Sequence, residues 1–148
     1  TIDKGRKSQV EPGMGVAAPS GVVGVVRGVS THFASVLPLI NPELEITGKI
    51  KNSNYFGPVR WDGTDYTTAY ISDIPRYADI REGDTILTDS RSLIFPEGLL
   101  IGTAGKKSLQ QDQNFFQIEV KLSVDFSKIE HIYIVKDKLR AELDSLPQ

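Results

Sequence analysis

The chain has 148 residues, with 17 Lys and Arg against 19 Asp and Glu, a net charge of -2 and a pI near 5.7. Its positive charges are scattered, so it lacks the basic stripe that neutralises nucleic-acid phosphates, and a nucleic-acid partner is excluded. The absence of cysteine removes disulfides, thiolate catalysis and thiolate metal sites together, and two histidines give no basis for a dedicated metal centre.

Taken in order, Thr1 to Gly15 is rich in turn signals, Asp3-Lys4-Gly5 and Glu11-Pro12-Gly13, with short strands expected around Ile2 and from Met14 to Ala17. Val22 to Val29 reads as a strand interrupted by Gly24 and Gly28, the pattern of a bulge or a strand curling into a small barrel. Phe33 to Ile40 is an apolar run expected to be buried on both faces. Leu44, Ile46, Gly48 and Ile50 alternate with Glu45, Thr47, Lys49 and Lys51, which gives one inward and one wet face. Tyr55 to Trp61 is the next strand, and Asp62-Gly63 signals a hairpin into Thr67 to Ile74.

Gly83 to Gly102 reads as strand, broad loop, strand. Gly83-Asp84 is a turn, Thr85 to Thr88 a strand, Pro96 excludes a long helix, and Gly98 permits a tight return into Leu99 to Ile101. Thr103 to Asn114 is polar, with Lys106 and Lys107 expected near an exposed tip. Phe116, Ile118, Val120, Leu122 and Val124 form the clearest period-two run in the chain. Asp125 to Glu130 is expected to make one helical turn, Ile132 to Val135 a last strand, and Leu139, Leu143 and Leu146 a short amphipathic helix that Pro147 ends. The fold class that follows is all-β.

Gly-Asp-x-Ile-x-Thr followed by Phe-Pro-x-Gly-x-x-Ile-Gly in this central stretch resembles the signature of the rod-shape-determining MreC family. Gly21 to Val26, Ser30, Phe33 to Ile40, Gly57, Gly63, Asp125-Phe126 and Ile132 to Val135 agree with it, so that the resemblance covers roughly residues 1 to 136. The chain departs from the family at Thr88-Asp89-Ser90, Arg91 and the bulky Leu93 and Ile94, where Thr-Ser-Gly and small residues are usual. The resemblance implies two small six-stranded β-barrel-like subdomains, 1–64 and 65–136 with strand exchange between them, and a short C-terminal helix or tail over 137–148 lies beyond it. It also implies a non-catalytic periplasmic scaffold of the cell-elongation machinery, anchored in the inner membrane. Its partners would be a penicillin-binding protein, MreD and MreB-type morphogenesis proteins, and further copies of itself. The start at Thr1 suggests a piece of a longer chain whose membrane helix and coiled coil lie upstream.

Catalytic alternatives are thin. His32, Asp73 and Ser90 follow the base, orienter and nucleophile order of chymotrypsin-like proteases, but no glycine flanks Ser90 to build an oxyanion hole. His131 reads as a strand-edge residue, and Asp62 with Asp65 and Asp84 with Asp89 as turn carboxylates. No catalytic residue, cofactor site or metal site is assigned. A β-rich periplasmic adaptor of a secretion or efflux system is the remaining alternative. For partner binding the candidates are Leu93, Ile94 and Phe95, three consecutive large apolar residues that cannot all point inward from a short loop, together with Tyr55 and Phe56. The loop folding back as a lid on its own barrel is the other reading of the first three. Trp61, Tyr55 and Phe56 read either as core or as a sugar-stacking platform.

Overall fold

The computed structural model describes residues 1–2, 5, 9–92, 94–129 and 131–135, and the expected C-terminal helix lies outside these. Among the described residues ten strands form: β1 (Gly15–Ala18), β2 (Gly21–Val29), β3 (Ala34–Pro38), β4 (Glu45–Ile50), β5 (Phe56–Arg60), β6 (Thr68–Pro75), β7 (Thr85–Thr88), β8 (Leu100–Leu109), β9 (Phe115–Leu122) and β10 (Tyr133–Val135). The chain is all-β, as its alternating patterns require. Six strands close into a barrel in the order β4-β5-β6-β9-β8-β7, and the other four make an open sheet in the order β10-β1-β2-β3. Where two six-stranded units were expected, the described residues therefore give one barrel of that size and a smaller sheet. The barrel takes strands from both sides of residue 64, and the sheet recruits its edge strand β10 from the far end of the chain.

The central stretch closes the barrel. β7 pairs with β8 on one side and with β4 on the other, through Gly48↔Thr88 and Ile50↔Ile86. Ile46, Ile50, Val59, Ile71, Ile86, Ile101, Ile118 and Val120 fill the interior and are essentially inaccessible. Period-two alternation puts every second residue there while Thr47, Lys49 and Arg60 stay outside.

In the middle of the open sheet β1 and the first six residues of β2 are buried on both faces, which explains why Gly21 to Val26 reads as one apolar run. Val16 pairs with Gly24 and Ala17 with Val22, so Val23 is the extra residue of a bulge. That insertion lets Val22 and Val25 both pack towards the barrel, while Val23 and Val26 join a second core with Val10, Val16, Ala34 and Val124. The sheet and the barrel meet tightly. A Cβ on Gly21 would lie 2.6 Å from the Leu100 carbonyl oxygen, and one on Gly15 would lie 2.4 Å from the ring of Phe95.

Three local expectations are corrected. β3 is not buried on both faces, since only Ala34 is enclosed and Phe33 before it is 54% exposed. β8 runs on to Leu109 instead of ending at Ile101. A register shift between Ala104 and Lys107 accommodates the change, and Lys106, Lys107 and Ser108 are polar because both faces of the strand are exposed there. Asp125 begins a hydrogen-bonded turn, in which its carbonyl accepts the Lys128 N–H, and not a helical turn.

Candidate partner-binding surface

The loop between β7 and β8 is pinned at its neck by Thr88, which is wholly buried. Its hydroxyl donates to the Pro96 carbonyl at 2.7 Å and accepts the Leu99 N–H at 2.9 Å, and the Gly98 N–H, on a residue with φ of +103°, donates to the Thr88 carbonyl. Next to it Asp89 is 1% exposed. Its N–H donates to the Thr47 carbonyl of β4, and its carboxylate accepts the Arg91 backbone N–H and pairs with the Arg91 guanidinium. Ser90–Ser92 form one 3-10 turn between these anchors.

This arrangement sends Arg91 outward and Phe95 inward. The guanidinium of Arg91 lies 3.9 Å above the centre of the Phe56 ring, a cation–π contact on a ring 42% exposed. Phe56 is paired across the β4–β5 hairpin with Lys49, whose ammonium meets the Glu97 carboxylate at 2.7 Å. Arg91, Phe56, Lys49 and Glu97 thus form a continuous row on the outer barrel wall, drawn from two strands and the loop. An aromatic ring and an arginine held in place by neighbours is the composition that anchors protein interfaces.

The expected site residues separate. Phe95 is fully buried, so the expectation that it is exposed for a partner is corrected: it plugs the space between barrel and sheet, with its ring against Gly15 of β1. Ile94 is half-buried against the same core. Leu93 lies outside the described residues. Tyr55 is half-buried and meets the 82% exposed Tyr77 edge-on at 6.2 Å, and of the four described candidates Phe56 lies on the outer row. Lys49 and Glu97 were not singled out from the sequence. The hairpin register through Asn52-Ser53-Asn54 places Lys49 opposite Phe56, so the first of them was recoverable.

Catalysis finds no support in the geometry. Asp73 exchanges hydrogen bonds with Gln110, and among the described residues no hydrogen bond joins His32, Asp73 and Ser90. Each suspected carboxylate caps a turn: Asp62 accepts from Thr64, Asp65 from Thr67, Asp84 from the Arg81 N–H and Asp89 from Arg91. Among the described residues no group of three His, Cys, Asp or Glu could hold a metal ion. Hydrogen bonds from Thr67 and from Ser127 hold Asp65 and Asp125 below the ordinary carboxylate value of 3.8. A depressed folded pKa contributes stability that is complete above the ordinary value and is lost as pH falls through the folded one. Thermal melts of the protein against Asp65→Asn and Asp125→Asn variants are therefore expected to differ at pH 5 and to converge well below 3.8.

Comparison with known proteins gives a consistent result. Residues 1–136 match the family model described as rod shape-determining protein MreC, barrel core. The chain is 25% identical over 143 residues to the cell shape-determining protein MreC of Listeria monocytogenes, covering 95% of this chain and 48% of that protein. It thus spans about half the length of the curated relative it matches. A solved structure of Listeria MreC has a TM-score of 0.84 at 25% identity, over 90% of this chain and 65% of that one. The major periplasmic domain of the cell shape-determining filament MreC gives 0.76 at 23% identity, over 92% and 85%. The complex between the penicillin-binding protein PBP2 and MreC from Helicobacter pylori gives 0.67 at 14% identity, over 82% and 75%.

Proposed function

Since the chain belongs to the family of the rod shape-determining protein MreC, whose barrel core it matches over residues 1–136, we propose that it is the periplasmic β portion of a non-catalytic scaffold for cell elongation. Its task in this reading is to maintain rod shape by holding a penicillin-binding protein. The family match carries the proposal. The Helicobacter complex supports the choice of partner, and the periplasmic domain of similar fold supports the compartment. MreD, MreB-type proteins and further copies of the chain are the other partners proposed, with an inner-membrane anchor in the longer protein.

Two kinds of surface suit this work. The closed barrel has no free strand edge, so it offers side chains, and Phe56 with Arg91 and Lys49 is the row proposed for the penicillin-binding protein. Tyr55 acts at one remove, by fixing the start of β5. The open sheet ends in β10 and β3, and of these β3 is bridged at Ala34 by Ile2. The remaining edges suit self-association by strand addition.

The test is binding of the chain to the soluble part of its cognate penicillin-binding protein, measured by calorimetry beside a Phe56→Glu variant. Because Phe56 is outside the core, the variant is expected to melt within a few degrees of the parent and to bind at least about thirtyfold more weakly, the 2 kcal/mol of an interface anchor. Failure of the parent to bind would overturn the choice of partner. Equal binding by both proteins would move the contact away from this row.

A further inference from the structure

We propose that the groove between the β5–β6 loop and Leu122–Ser127 is a saccharide-binding site, with Tyr66 as the platform on which a pyranose ring stacks. Tyr66 lies on Trp61, with ring centroids 5.7 Å apart and planes 26° from parallel. Trp61 is buried, whereas Tyr66 is 67% exposed. The pair therefore gives one face of the phenol ring a backing and leaves the other to solvent, over a groove of about 790 Å³.

The loop that carries this ring is tied down along its length. The Trp61 indole N–H donates to the Asp65 carbonyl at 2.7 Å, and Asp62 accepts both the N–H and the hydroxyl of Thr64. Asp65 accepts the N–H and hydroxyl of Thr67, whose carbonyl in turn accepts the Leu122 N–H of β9. A large ring held outward by a fixed loop loses little conformational freedom when a ligand covers it, and this is the condition for useful affinity from a single stacking contact.

The chemistry of the walls selects the ligand. Thr67 and Ser127 direct their hydroxyl protons at neighbouring carboxylates and Ser123 directs its proton at the Ile101 carbonyl, so these three groove-lining hydroxyls are left to act as acceptors. Asp65 and Asp125 each use Oδ1 for their own turn, and no donor among the described residues is aimed at either Oδ2. The groove is thus a row of acceptors beside an aromatic face, with Leu122 and Phe126 as apolar floor. A pyranose matches it, because its C–H face is apolar and every rim hydroxyl can donate. A basic peptide matches less well, since Lys128 already stands close enough to Asp125 to favour its charged form.

Trp61 is the single tryptophan of the chain, so its emission reports directly on the platform. The intact chain is titrated with cellotetraose and with chitotetraose, following Trp61 fluorescence and backbone amide shifts. Saturable changes at residues 61–67 and 122–127 with either sugar are expected. Tyr66→Phe should keep affinity within about twofold because it keeps the ring, while Tyr66→Ala should lower it about tenfold, read from the amide shifts with the fold checked by melting. Asp125→Asn, which leaves the platform intact, should also weaken binding. Silence with both sugars would overturn the proposal, as would unchanged affinity in Tyr66→Ala. A hexalysine peptide shifting these amides where the sugars do not would overturn it in favour of a basic segment.

Discussion

Replacing Phe95 by alanine is expected to destabilise the domain by about 3 to 5 kcal/mol, seen as a lower urea midpoint with little change in slope. The ring is fully buried, and it fills the junction of the barrel with the open sheet instead of sitting inside either one. Deleting it opens a cavity whose walls are strands held by their own ladders, so they cannot collapse to refill it. A domain of this kind has only about 5 to 15 kcal/mol in total, so the loss is a large share. Gly15 supplies an internal control. Gly15→Ala forces a Cβ to within 2.4 Å of the Phe95 ring and should be costly alone. In a Phe95→Ala background the new methyl enters the vacated space, so the two changes should couple by at least about 1 kcal/mol. Strict additivity would mean that Phe95 does not rest on β1. The Phe95→Asp change is expected to unfold the chain outright, before any question of association arises.

Arg91→Ala is expected to cost about 3 kcal/mol, close to 10 °C in melting temperature, although Arg91 itself stands on the surface. The cause is its partner. Asp89 is 1% exposed, and the guanidinium is the cation that offsets its charge. Truncating the arginine leaves a carboxylate enclosed with only backbone donors, whereas removing both members avoids most of that penalty. Differential scanning calorimetry of Arg91→Ala, Asp89→Asn and the double variant checks this, and the double variant should be more stable than the sum of the single changes predicts. The Phe56 ring should also become mobile once its covering cation is gone, which its side-chain resonances would record.

The sequence shows its strands wherever one face is wet. β4 and β9 carry strict alternation, and β7 is bracketed by turn residues, so each is found close to where pattern reading puts it. The run of polar residues from Lys106 to Ser108 misleads because a strand end exposed on both faces past a bulge lacks the alternation that marks a strand, and so looks like a loop. Phe95 misleads for a different reason. Neighbouring apolar residues of a loop must partly face solvent when only one layer lies beneath it, whereas here the open sheet packs on Phe95 from the other side. Pairing between distant strands, β4 with β7 and β1 with β10, leaves no local mark on the residues that take part. The outer row was half legible: Phe56 could be picked out as a large ring at a strand start, but the cation above it depends on the fold of another loop.

The pairing of Gly15 with Val135 also sets an order of assembly as the polypeptide emerges, N-terminal end first, into the compartment where it folds. Every barrel strand lies between residues 45 and 122, so the barrel can close as soon as β9 has emerged, while β1 waits with one side unzipped until β10 has followed. Premature release, or a stall before Tyr133, would leave a finished cylinder trailing an apolar ribbon with a raw margin, and that is the species quality-control proteases and chaperones would meet.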